Sequence, residues 1–520
     1  MLLVEARDEF ILQELTNHCI ELIENWGNRN RLSFNGSKTK AMVVSRRWEQ
    51  PVLHLELAGQ RIEMASKIKY LGLVIDSRLK WRDHLSMLQS KAAKLHAMIS
   101  SLARNTFGLK SQVVRSVYLG AVEPMITYEA RFWSSVTTTR WGVRMLQHIQ
   151  RPFLVRMCKS YRRASIEALC ILARIKPLDI CVKETATVCI TRRERQFTFE
   201  EQVYPVEGRI VPSFHPSFST ARFVREPNCL IANTIPYLRD QGYDIFTDGS
   251  RSSDGTGCAF VVYYQCTEIF NQIYRLPSYC SAFQAEIVAL EKAIEYVSFN
   301  NIGPVRIFSD SQSSLMAIRD IRNGNPVVSR IQFQLLHLYQ ARISVSLSWV
   351  KAHVGIQGNE RADQLARDSH NLGFVLQATV DAPLSWVKLQ AKQMTEKEWD
   401  LRWQNGNVAQ TTRHFFKTLS QRDSTKELEL NFISTQFLTG LGKFNSFLHH
   451  INRRAGPNCV CGAVQTSQHL IFYCPVFEYC RHHLRMPVAL SDASSPLADP
   501  DTNAEFQQMC HTIYRWLGQF

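Results

Sequence analysis

At 520 residues the chain is too long for one ordinary core, because chains usually divide into domains of roughly 100 to 200 residues. Its hydrophobic fraction of 45% and charged fraction of 21% exclude a disordered protein. No apolar run reaches the roughly 18 residues of a membrane helix, and the opening MLLVEARDEF lacks the features of a signal peptide, so we expect an intracellular protein of the cytoplasm or nucleus with no membrane partner.

The net charge of +15 is distributed unevenly along the chain. Residues 84–163 hold 13 Lys or Arg against only Glu123 and Glu129, whereas residues 243–370 hold 11 Lys or Arg and 12 Asp or Glu. Clustered positive charge favours binding to a polyanion, because binding releases condensed counterions. The basic segment is therefore predicted to bind RNA and DNA; the alternative is a solvated surface that only aids solubility.

The N-terminal part of the chain is predicted to be mostly helical. Apolar residues at helical spacing predict a helix over residues 8–25, and the runs AMVVS from Ala41 and KYLGLVI from Lys69 predict strands. Residues 84–160 are again predicted to be helical. Proline-containing stretches between residues 205 and 240 predict a linker.

From residue 241 the pattern changes to that of an α/β unit. Three predicted strands, DIFTDGS, GCAFVVYY and TEIFNQIY, precede the helix SAFQAEIVALEKAIEYV. The strand VRIFSD, a helix beginning at Ser311, a helix around IQFQLLHLYQ, the alternating strand ISVSLSWV and the helix GNERADQLARDS follow. The order βββαβααβα predicts a mixed five-stranded sheet with flanking helices.

Four carboxylates in this unit lie where packing alone would not place them. Asp248 directly follows the strand DIFT and Asp310 follows VRIFS, so both are expected at C-terminal strand ends, where α/β sheets carry ligand sites. Asp363 falls in the first turns of the last helix. Glu286 falls on the stripe of its helix that is predicted to be buried, which is marked by Ala282, Ala289, Leu290, Ala293, Ile294 and Val297.

Taken one at a time, Asp248, Asp310 and Asp363 could each be a cap, a turn residue or a surface charge. Together with Glu286 they favour a cation site, because burying unpaired anions is costly unless a cation neutralises them. Oxygen-only ligands favour Mg²⁺ or Mn²⁺ over zinc. Two such ions about 4 Å apart would activate a water and stabilise the leaving oxygen of a phosphodiester.

Four sequence blocks in the same unit resemble the motifs of type 1 ribonuclease H domains. They are FTDGS from Phe246, QAE from Gln284, FSDSQSSL from Phe308 and WVKAHVGIQGNERADQLA from Trp349, in order and at family-like spacing. The resemblance covers residues 241–370. It implies a ribonuclease H-like fold and an enzyme that cuts the RNA strand of an RNA–DNA hybrid.

The same resemblance implies roles for individual side chains. His353 matches the histidine of the family's mobile loop, which is thought to assist proton transfer or product release, and a loop histidine suits either role. Ser250 and Ser311 resemble positions that contact the hybrid, although small polar residues after a strand are also ordinary turn formers. The residues implied to bind two Mg²⁺ or Mn²⁺ ions are Asp248, Glu286, Asp310 and Asp363.

The flanking regions resemble reverse transcriptases of non-LTR retrotransposons. WGNRNRLSFNGSKT, residues 26–39, and YLGLVIDSRLKW from Tyr70 resemble the palm, and residues 84–185 resemble the thumb and connection. The chain lacks the Asp-Asp pair of the polymerase motif F/Y-x-D-D, so no reverse transcriptase activity is expected. The resemblance implies a truncated copy or a fragment of a longer polyprotein, with endonuclease and polymerase domains missing upstream.

A cysteine and histidine cluster lies near the C-terminal end. Cys459, Cys461, His469 and Cys474 have the spacing C-x-C-x7-H-x4-C, and three thiolates with one imidazole suit a closed tetrahedral Zn²⁺ site. The segment resembles the C-terminal Cys-Cys-His-Cys finger of the same retrotransposons. The alternative is four unliganded core residues, and Cys480 is a substitute ligand.

The sequence thus predicts an RNA–DNA hybrid ribonuclease within a retrotransposon polyprotein fragment, with nucleic-acid binding by thumb and finger. The alternative is a catalytically idle nucleic-acid-binding remnant of a truncated retrotransposon. The expected parts are a palm remnant (1–83), a basic thumb and connection (84–200), a linker (201–240), a ribonuclease H domain (241–375), a helical region (376–450), a zinc-finger-like segment (451–485) and a tail (486–520).

Overall fold

The computed structural model describes residues 1–45, 47, 49–102, 110–210, 220, 223–224, 242–253, 255–369, 371, 375–424, 430–483, 497 and 500–518. Most of the predicted linker lies outside these described residues. The chain divides into two compact units, the helical unit of residues 1–189 with 393–520 and the sheet unit of residues 190–392. Among the described residues, no helix combines the length and the apolar character needed to cross a membrane.

The helices of the described residues are α1 (Glu9–Arg29), α2 (Arg82–Leu102), α3 (Ser111–Val117), α4 (Glu123–Thr127), α5 (Ala130–Trp133), α6 (Arg140–Met157), α7 (Ile166–Ala173), α8 (Leu178–Glu194), α9 (Ala282–Asn300), α10 (Gln312–Arg319), α11 (Pro326–Gln340), α12 (Gln357–Asp368), α13 (Leu384–Gln404), α14 (Gln410–Phe415), α15 (Leu419–Ser424), α16 (Phe432–Thr439), α17 (Asn445–His450), α18 (Glu478–His483) and α19 (Pro500–Leu517).

The strands of the described residues are β1 (Lys40–Ala41), β2 (Glu56–Leu57), β3 (Gln60–Arg61), β4 (Glu63–Met64), β5 (Lys67–Tyr70), β6 (Leu73–Asp76), β7 (Gln196–Phe199), β8 (Gln202–Pro205), β9 (Tyr243–Arg251), β10 (Thr256–Tyr264), β11 (Thr267–Leu276), β12 (Val305–Ser309), β13 (Val345–Trp349) and β14 (Leu376–Gln377).

The sheet unit contains a mixed sheet in the order β13-β12-β9-β10-β11-β14. β9, β10 and β11 are antiparallel neighbours, whereas β12 pairs in parallel with both β9 and β13. The predicted α/β fold and its order of strands and helices are confirmed. The sheet has six strands rather than five, because the short β14 adds in parallel to Tyr274 and Arg275 at the edge.

Side chains along the central strands alternate between two cores, as the two-residue period of a strand requires. Ile245 and Phe260 belong to the core that contains the apolar residues of α9 and α11. Their neighbours Phe246 and Val261 belong to a second core with Ala362 and other residues of α12. Helices α9 and α12 therefore cover opposite faces of the sheet.

Helix α9 begins at a capping box formed by Ser281 and Gln284, whose side chains satisfy each other's backbone N–H groups. The stripe predicted to be buried is buried at Ala289, Leu290, Ala293, Ile294 and Val297. At Ala282 the prediction was wrong, because this first residue of the helix is exposed to solvent.

Part of the segment predicted to be a linker packs onto the sheet. Phe223 and Val224 are 4% and 2% exposed, and the backbone N–H of Leu347 donates to the carbonyl of Phe223 at 2.8 Å. Val224 also forms a parallel bridge with Leu347 on β13. These residues cover the free edge of β13, so this part of the predicted linker belongs to the sheet unit.

The helical unit has one continuous core to which both of its chain segments contribute. Helix α19, which the sequence assigned to a tail, is part of it. The largest fully buried side chains come from both segments: Tyr118, Trp133, Phe153, Trp403, Phe416, Phe437, Phe444 and Phe506.

Two predicted strands near the N-terminus are only partly formed. The run from Lys69 to Ile75 is not one strand but the hairpin β5–β6, which reverses at Leu71 and Gly72 with φ of 44° and 87°. The single-strand prediction failed because it gave the apolar run more weight than its one turn signal, Gly72. The run AMVVS contributes only Ala41 to a strand, whereas the predicted helix over residues 8–25 is confirmed and extends to Arg29.

Candidate active site and metal clusters

Three of the four predicted carboxylates meet at one place in the sheet unit. Oxygen atoms of Asp248, Glu286 and Asp310 all lie within 4.8 Å of one another. Asp248 lies on β9, Glu286 lies near the start of α9, and Asp310 directly follows β12. The carboxylate of Asp248 is buried and the other two are half-buried.

The expected position of Asp248 at the end of its strand was wrong. It lies inside β9 and pairs with Ala259 of β10, because the β9–β10 hairpin extends to Arg251. The parallel neighbour β12, however, stops pairing at Ser309, opposite Thr247. Asp248 is therefore the first residue of β9 beyond the end of β12, and this brings it close to Asp310.

A glycine next to Asp248 allows α9 to approach the sheet. A Cβ atom at Gly249 would lie 2.3 Å from the backbone nitrogen of Glu286, a distance that real Cβ atoms do not tolerate. The glycine in FTDGS is thus explained by close packing of helix against strand. This contact places the side chain of Glu286 beside that of Asp248.

The electrostatics of the cluster favour binding of a cation. Burial, and then the charges of Asp310 and Asp363, raise the pKa of Asp248 to about 7. Burial, and then Asp248 and Asp310, raise the pKa of Glu286 to about 9. One oxygen of Glu286, Oε2, is buried with no hydrogen-bond partner among the described residues. Such an acceptor fits a divalent cation, which would neutralise the three charges and use the unpartnered oxygen.

The remaining predicted residues lie around this cluster. Asp363, on α12, forms an ion pair with Arg367 at 2.8 Å. It does not belong to the cluster of three acids whose oxygens lie within 4.8 Å of one another. His353 is exposed, has a left-handed backbone with φ of 54°, and its Nδ1 lies 3.9 Å from Asp363 Oδ2. Ser250 lies on β9, and Ser311 is the N-cap residue of α10.

Two side chains that the sequence analysis did not single out as site residues contact Asp310. Asn359 Nδ2 donates to Asp310 Oδ2 at 3.2 Å, and Trp349 Nε1 donates to the Asp310 carbonyl at 3.0 Å. The spacing of Asn359 and Asp363 was the available signal, because residues four apart share one face of a helix.

A second cluster lies in the helical unit. The Sγ atom of Cys474 lies 3.8 Å from that of Cys459 and 4.0 Å from that of Cys461, and Cys461 Sγ lies 3.1 Å from His469 Nε2. Zinc–sulfur bonds of about 2.3 Å in a tetrahedron give sulfur–sulfur distances of about 3.8 Å. The four side chains predicted from the spacing are therefore brought together at distances that fit a Zn²⁺ ion; Cys480 is not part of this group.

A tight turn presents the first two cysteines. The N–H of Cys459 donates to the Ala463 carbonyl at 2.7 Å, and the N–H of Gly462 donates to the Cys459 carbonyl at 2.9 Å. Gly462 has φ of 93°, a conformation that favours glycine. Burial raises the pKa of the Cys474 thiol to about 12, so this thiol is protonated at neutral pH without a bound cation.

The basic segment forms a polar stripe on α6. Arg140, Arg144 and His148 are exposed and follow one another at intervals of four residues along the helix. Successive positions four residues apart are separated by about 6 Å along a helix axis. Leu146, Ile149 and Phe153 of α6 face the core, so the positive charges lie on the solvent side.

The sequence model of the RNase H family matches residues 240–371. These residues form a ribonuclease H domain. The domain contains the sheet from β9 to β13, the helices α9 to α12 and the carboxylate cluster.

Curated relatives extend the similarity beyond this domain. A 115 kDa protein of the type-1 retrotransposable element R1DM of Drosophila melanogaster is 22% identical over 290 residues, 50% of this chain and 28% of that protein. A Pol polyprotein from the type-1 element R1 4 of Nasonia vitripennis is 30% identical over 137 residues, 26% of this chain and 34% of that protein. Ribonuclease H1 of Homo sapiens is 27% identical over 182 residues, 32% of this chain and 60% of that protein.

The chain therefore carries a ribonuclease H domain and is similar to Pol polyproteins of R1 type-1 retrotransposable elements. It spans about a third or less of the length of the two retrotransposon relatives described above.

Proposed function

We propose that the ribonuclease H domain hydrolyses the RNA strand of an RNA–DNA hybrid as part of a retrotransposon polyprotein. The observation that carries this proposal is the cluster of Asp248, Glu286 and Asp310 within a ribonuclease H fold, with one buried carboxylate oxygen left unpartnered. A structural role for this cluster is disfavoured, because without a cation three adjacent acids destabilise the fold.

The proposed metal ligands are Asp248, Glu286 and Asp310, with Asp363 beside them, and the proposed metal is Mg²⁺ or Mn²⁺ because all the ligand atoms are oxygens. Two bound ions would supply an activated water and stabilise the leaving oxygen of the phosphodiester. The exposed imidazole of His353, next to Asp363, is placed to exchange protons with solvent.

The hydroxyl groups of Ser250 and Ser311 are proposed to donate hydrogen bonds to the hybrid. Both residues lie close in sequence to a cluster acid, Ser250 two residues after Asp248 and Ser311 directly after Asp310.

Cleavage of a labelled RNA–DNA hybrid in Mg²⁺ tests this function. We expect Asp248→Asn and Asp310→Asn to lower the cleavage rate by about a thousandfold, because losing a metal ligand removes several kcal/mol of transition-state stabilisation and each 1.4 kcal/mol is about tenfold. Glu286→Gln should behave in the same way. The matched control is Glu295→Gln on the same helix, whose carboxylate pairs with Lys292 outside the cluster and should leave the rate unchanged.

Equal activity in the wild type and all of these variants would refute the assignment. An inactive wild type that still binds the hybrid would favour the alternative, a catalytically idle nucleic-acid-binding remnant. Double-stranded DNA and double-stranded RNA serve as competing substrates, because the proposal requires cleavage of the hybrid alone.

We further propose that the basic segment binds the nucleic acid, because the sheet unit carrying the carboxylate cluster is close to neutral. The exposed stripe on α6 supports this, since its charges are spaced regularly along one face. Binding should weaken steeply with salt, and Arg140→Glu with Arg144→Glu should reduce the slope of log affinity against log salt by about 2. An unchanged slope would place the binding surface elsewhere in the chain.

For the second cluster we propose one structural Zn²⁺ bound by Cys459, Cys461, His469 and Cys474. The donor set and the sulfur–sulfur distances support zinc. Purified protein is expected to contain one zinc per chain, measured by elemental analysis, and to lose it in Cys459→Ser and in His469→Ala. Zinc-free wild-type protein would refute the proposal.

A further inference from the structure

A buried amide lies beside the carboxylate cluster of the ribonuclease H domain. Asn359, in the first turn of α12, is 2% exposed, and its Nδ2 donates to Asp310 Oδ2 at 3.2 Å. The carbonyl of Asp310 accepts from Trp349 Nε1 at 3.0 Å. Both the main chain and the side chain of Asp310 are thus fixed by neutral donors, and neither donor neutralises its charge.

Close packing at the start of α12 brings the amide to this position. A Cβ atom at Gly358 would lie 2.2 Å from the ring of Phe246, so only glycine allows the helix to approach β9 this closely. Asp363 follows Asn359 by one turn on the same face of α12. The helix therefore presents one amide and one acid toward the same side.

Fold stability alone does not explain the amide. Asn359 Oδ1 is buried without a hydrogen-bond donor among the described residues, and such an acceptor costs about 1–3 kcal/mol. Alanine would avoid this cost and is the better helix former. A residue that breaks a local rule of stability in this way indicates a role in the adjacent site.

We propose that Asn359 is a positioning residue for metal binding, one that holds Asp310 in the orientation in which it shares a divalent cation with Asp248 and Glu286. A neutral donor suits this role, because an Arg or Lys at the same place would form an ion pair with Asp310 and compete with the cation. The inference rests on the proposed function, since it assigns the cluster to Mg²⁺ or Mn²⁺. Partners of metal ligands typically contribute about 10- to 100-fold in metal affinity or activity.

The test measures Mn²⁺ binding to the full chain by calorimetry and hybrid cleavage as a function of Mg²⁺ concentration. Asn359→Ala should weaken Mn²⁺ binding and raise the half-saturating Mg²⁺ concentration by about 10- to 100-fold. At saturating Mg²⁺ most of kcat should return, and KM for the hybrid should stay within about twofold, because the hybrid itself is not contacted. A side chain that only supports the fold would not give a defect that added metal repairs.

The matched control is Asn300→Ala, which removes an exposed amide that donates to the Tyr296 carbonyl at the end of α9 and should change neither metal binding nor cleavage. Should Asn359→Ala fail to fold, Asn359→Ser replaces it, since serine is well tolerated in a first helical turn.

Unchanged Mn²⁺ affinity and unchanged Mg²⁺ dependence in the Asn359 variant would overturn the inference while leaving the proposed function intact. A wild type that binds Mn²⁺ more tightly than the variant but cleaves no hybrid would support the inference and overturn the proposed function. A wild type that binds no Mn²⁺ would overturn both.

Discussion

The sheet unit and the helical unit hold their clusters of functional side chains in different ways. In the sheet unit the three clustered acids lie on β9, on α9 and directly after β12, all within one continuous stretch of chain. In the helical unit, residues 1–189 share one core with residues 393–520, although the whole sequence of the sheet unit lies between these two segments in the chain. Strand register brings the acids of the first cluster together, whereas the residues of the second cluster come from one short segment that packs in a core shared by two distant segments.

This difference has a consequence for the cysteine cluster. Cys459 and Cys474 belong to the same continuous core as Tyr118 and Phe153, which are buried residues of the basic segment. A metal ion bound by these cysteines would therefore stabilise the core of the helical unit as well as the short segment that binds it. The carboxylate cluster, by contrast, weakens its own unit unless a cation is bound.

The largest expected effect in this comparison is the loss of zinc from the helical unit. Cys459→Ser or His469→Ala should lower the thermal midpoint of this unit by roughly 10 °C, because a structural zinc contributes many kcal/mol and each kcal/mol is worth about 2–4 °C in a unit of this size. The measurement is a calorimetric scan with zinc content determined in parallel.

Cys480→Ser is the control for the zinc prediction, because Cys480 is a half-buried cysteine outside the cluster. It should keep both zinc and stability. Loss of zinc without any change in the thermal midpoint would show that the cluster is peripheral to the core.

A smaller effect is expected from the ion pairs of Arg402, which join α13 to α7 and α8 across the two segments. Arg402 donates to Asp179 at 2.8 Å and also pairs with Glu167. Arg402→Met should destabilise the unit by about 2 kcal/mol, because it leaves buried carboxylates without a partner while the guanidinium itself keeps some contact with water.

The matched comparison for Arg402 is Lys183→Met, which breaks the ion pair of Lys183 with Glu398 between α8 and α13. Both of these side chains are more than a third exposed, so the loss should stay below about 1 kcal/mol. Denaturant titration measures both variants, and equal losses would contradict the assigned importance of burial.

A pH dependence is also expected in the sheet unit. Its folded state holds Asp248 at a pKa of about 7 and Glu286 at about 9, whereas both ionise near pH 4 when unfolded. Because the folded values are raised, the unfolded chain releases its protons first, and stability falls as pH rises from about 4 to about 9. In buffer without divalent cations the thermal midpoint should therefore fall between about pH 5 and about pH 8.

Glu286→Gln should reduce this fall, and Glu295→Gln should not, because the carboxylate of Glu295 pairs with Lys292 outside the cluster. Adding Mg²⁺ at about pH 8 should restore the midpoint of the wild type by binding the ionised cluster. A midpoint that rises with pH over this range would contradict the electrostatic account.

The sequence by itself determined the α/β order of the ribonuclease H domain and the acids of its cluster. Both depend on local patterns: alternation along strands, helical periodicity, and carboxylates placed directly beside them. It also determined the composition of the Cys-Cys-His-Cys group, because all four residues lie within one short segment. The same local reasoning misplaced Asp248 at a strand end, since the length of the β9–β10 pairing depends on the partner strand.

Only the tertiary structure decided which distant residues meet. The contact of Asn359 with Asp310 requires the close packing of α12 against β9, and α19 joins a core that includes residues hundreds of positions earlier in the chain. Periodicity shows which face of a helix is buried, but it does not name the partner of that face. Long-range packing is set by the shapes of whole elements, and no single segment of the sequence contains that information.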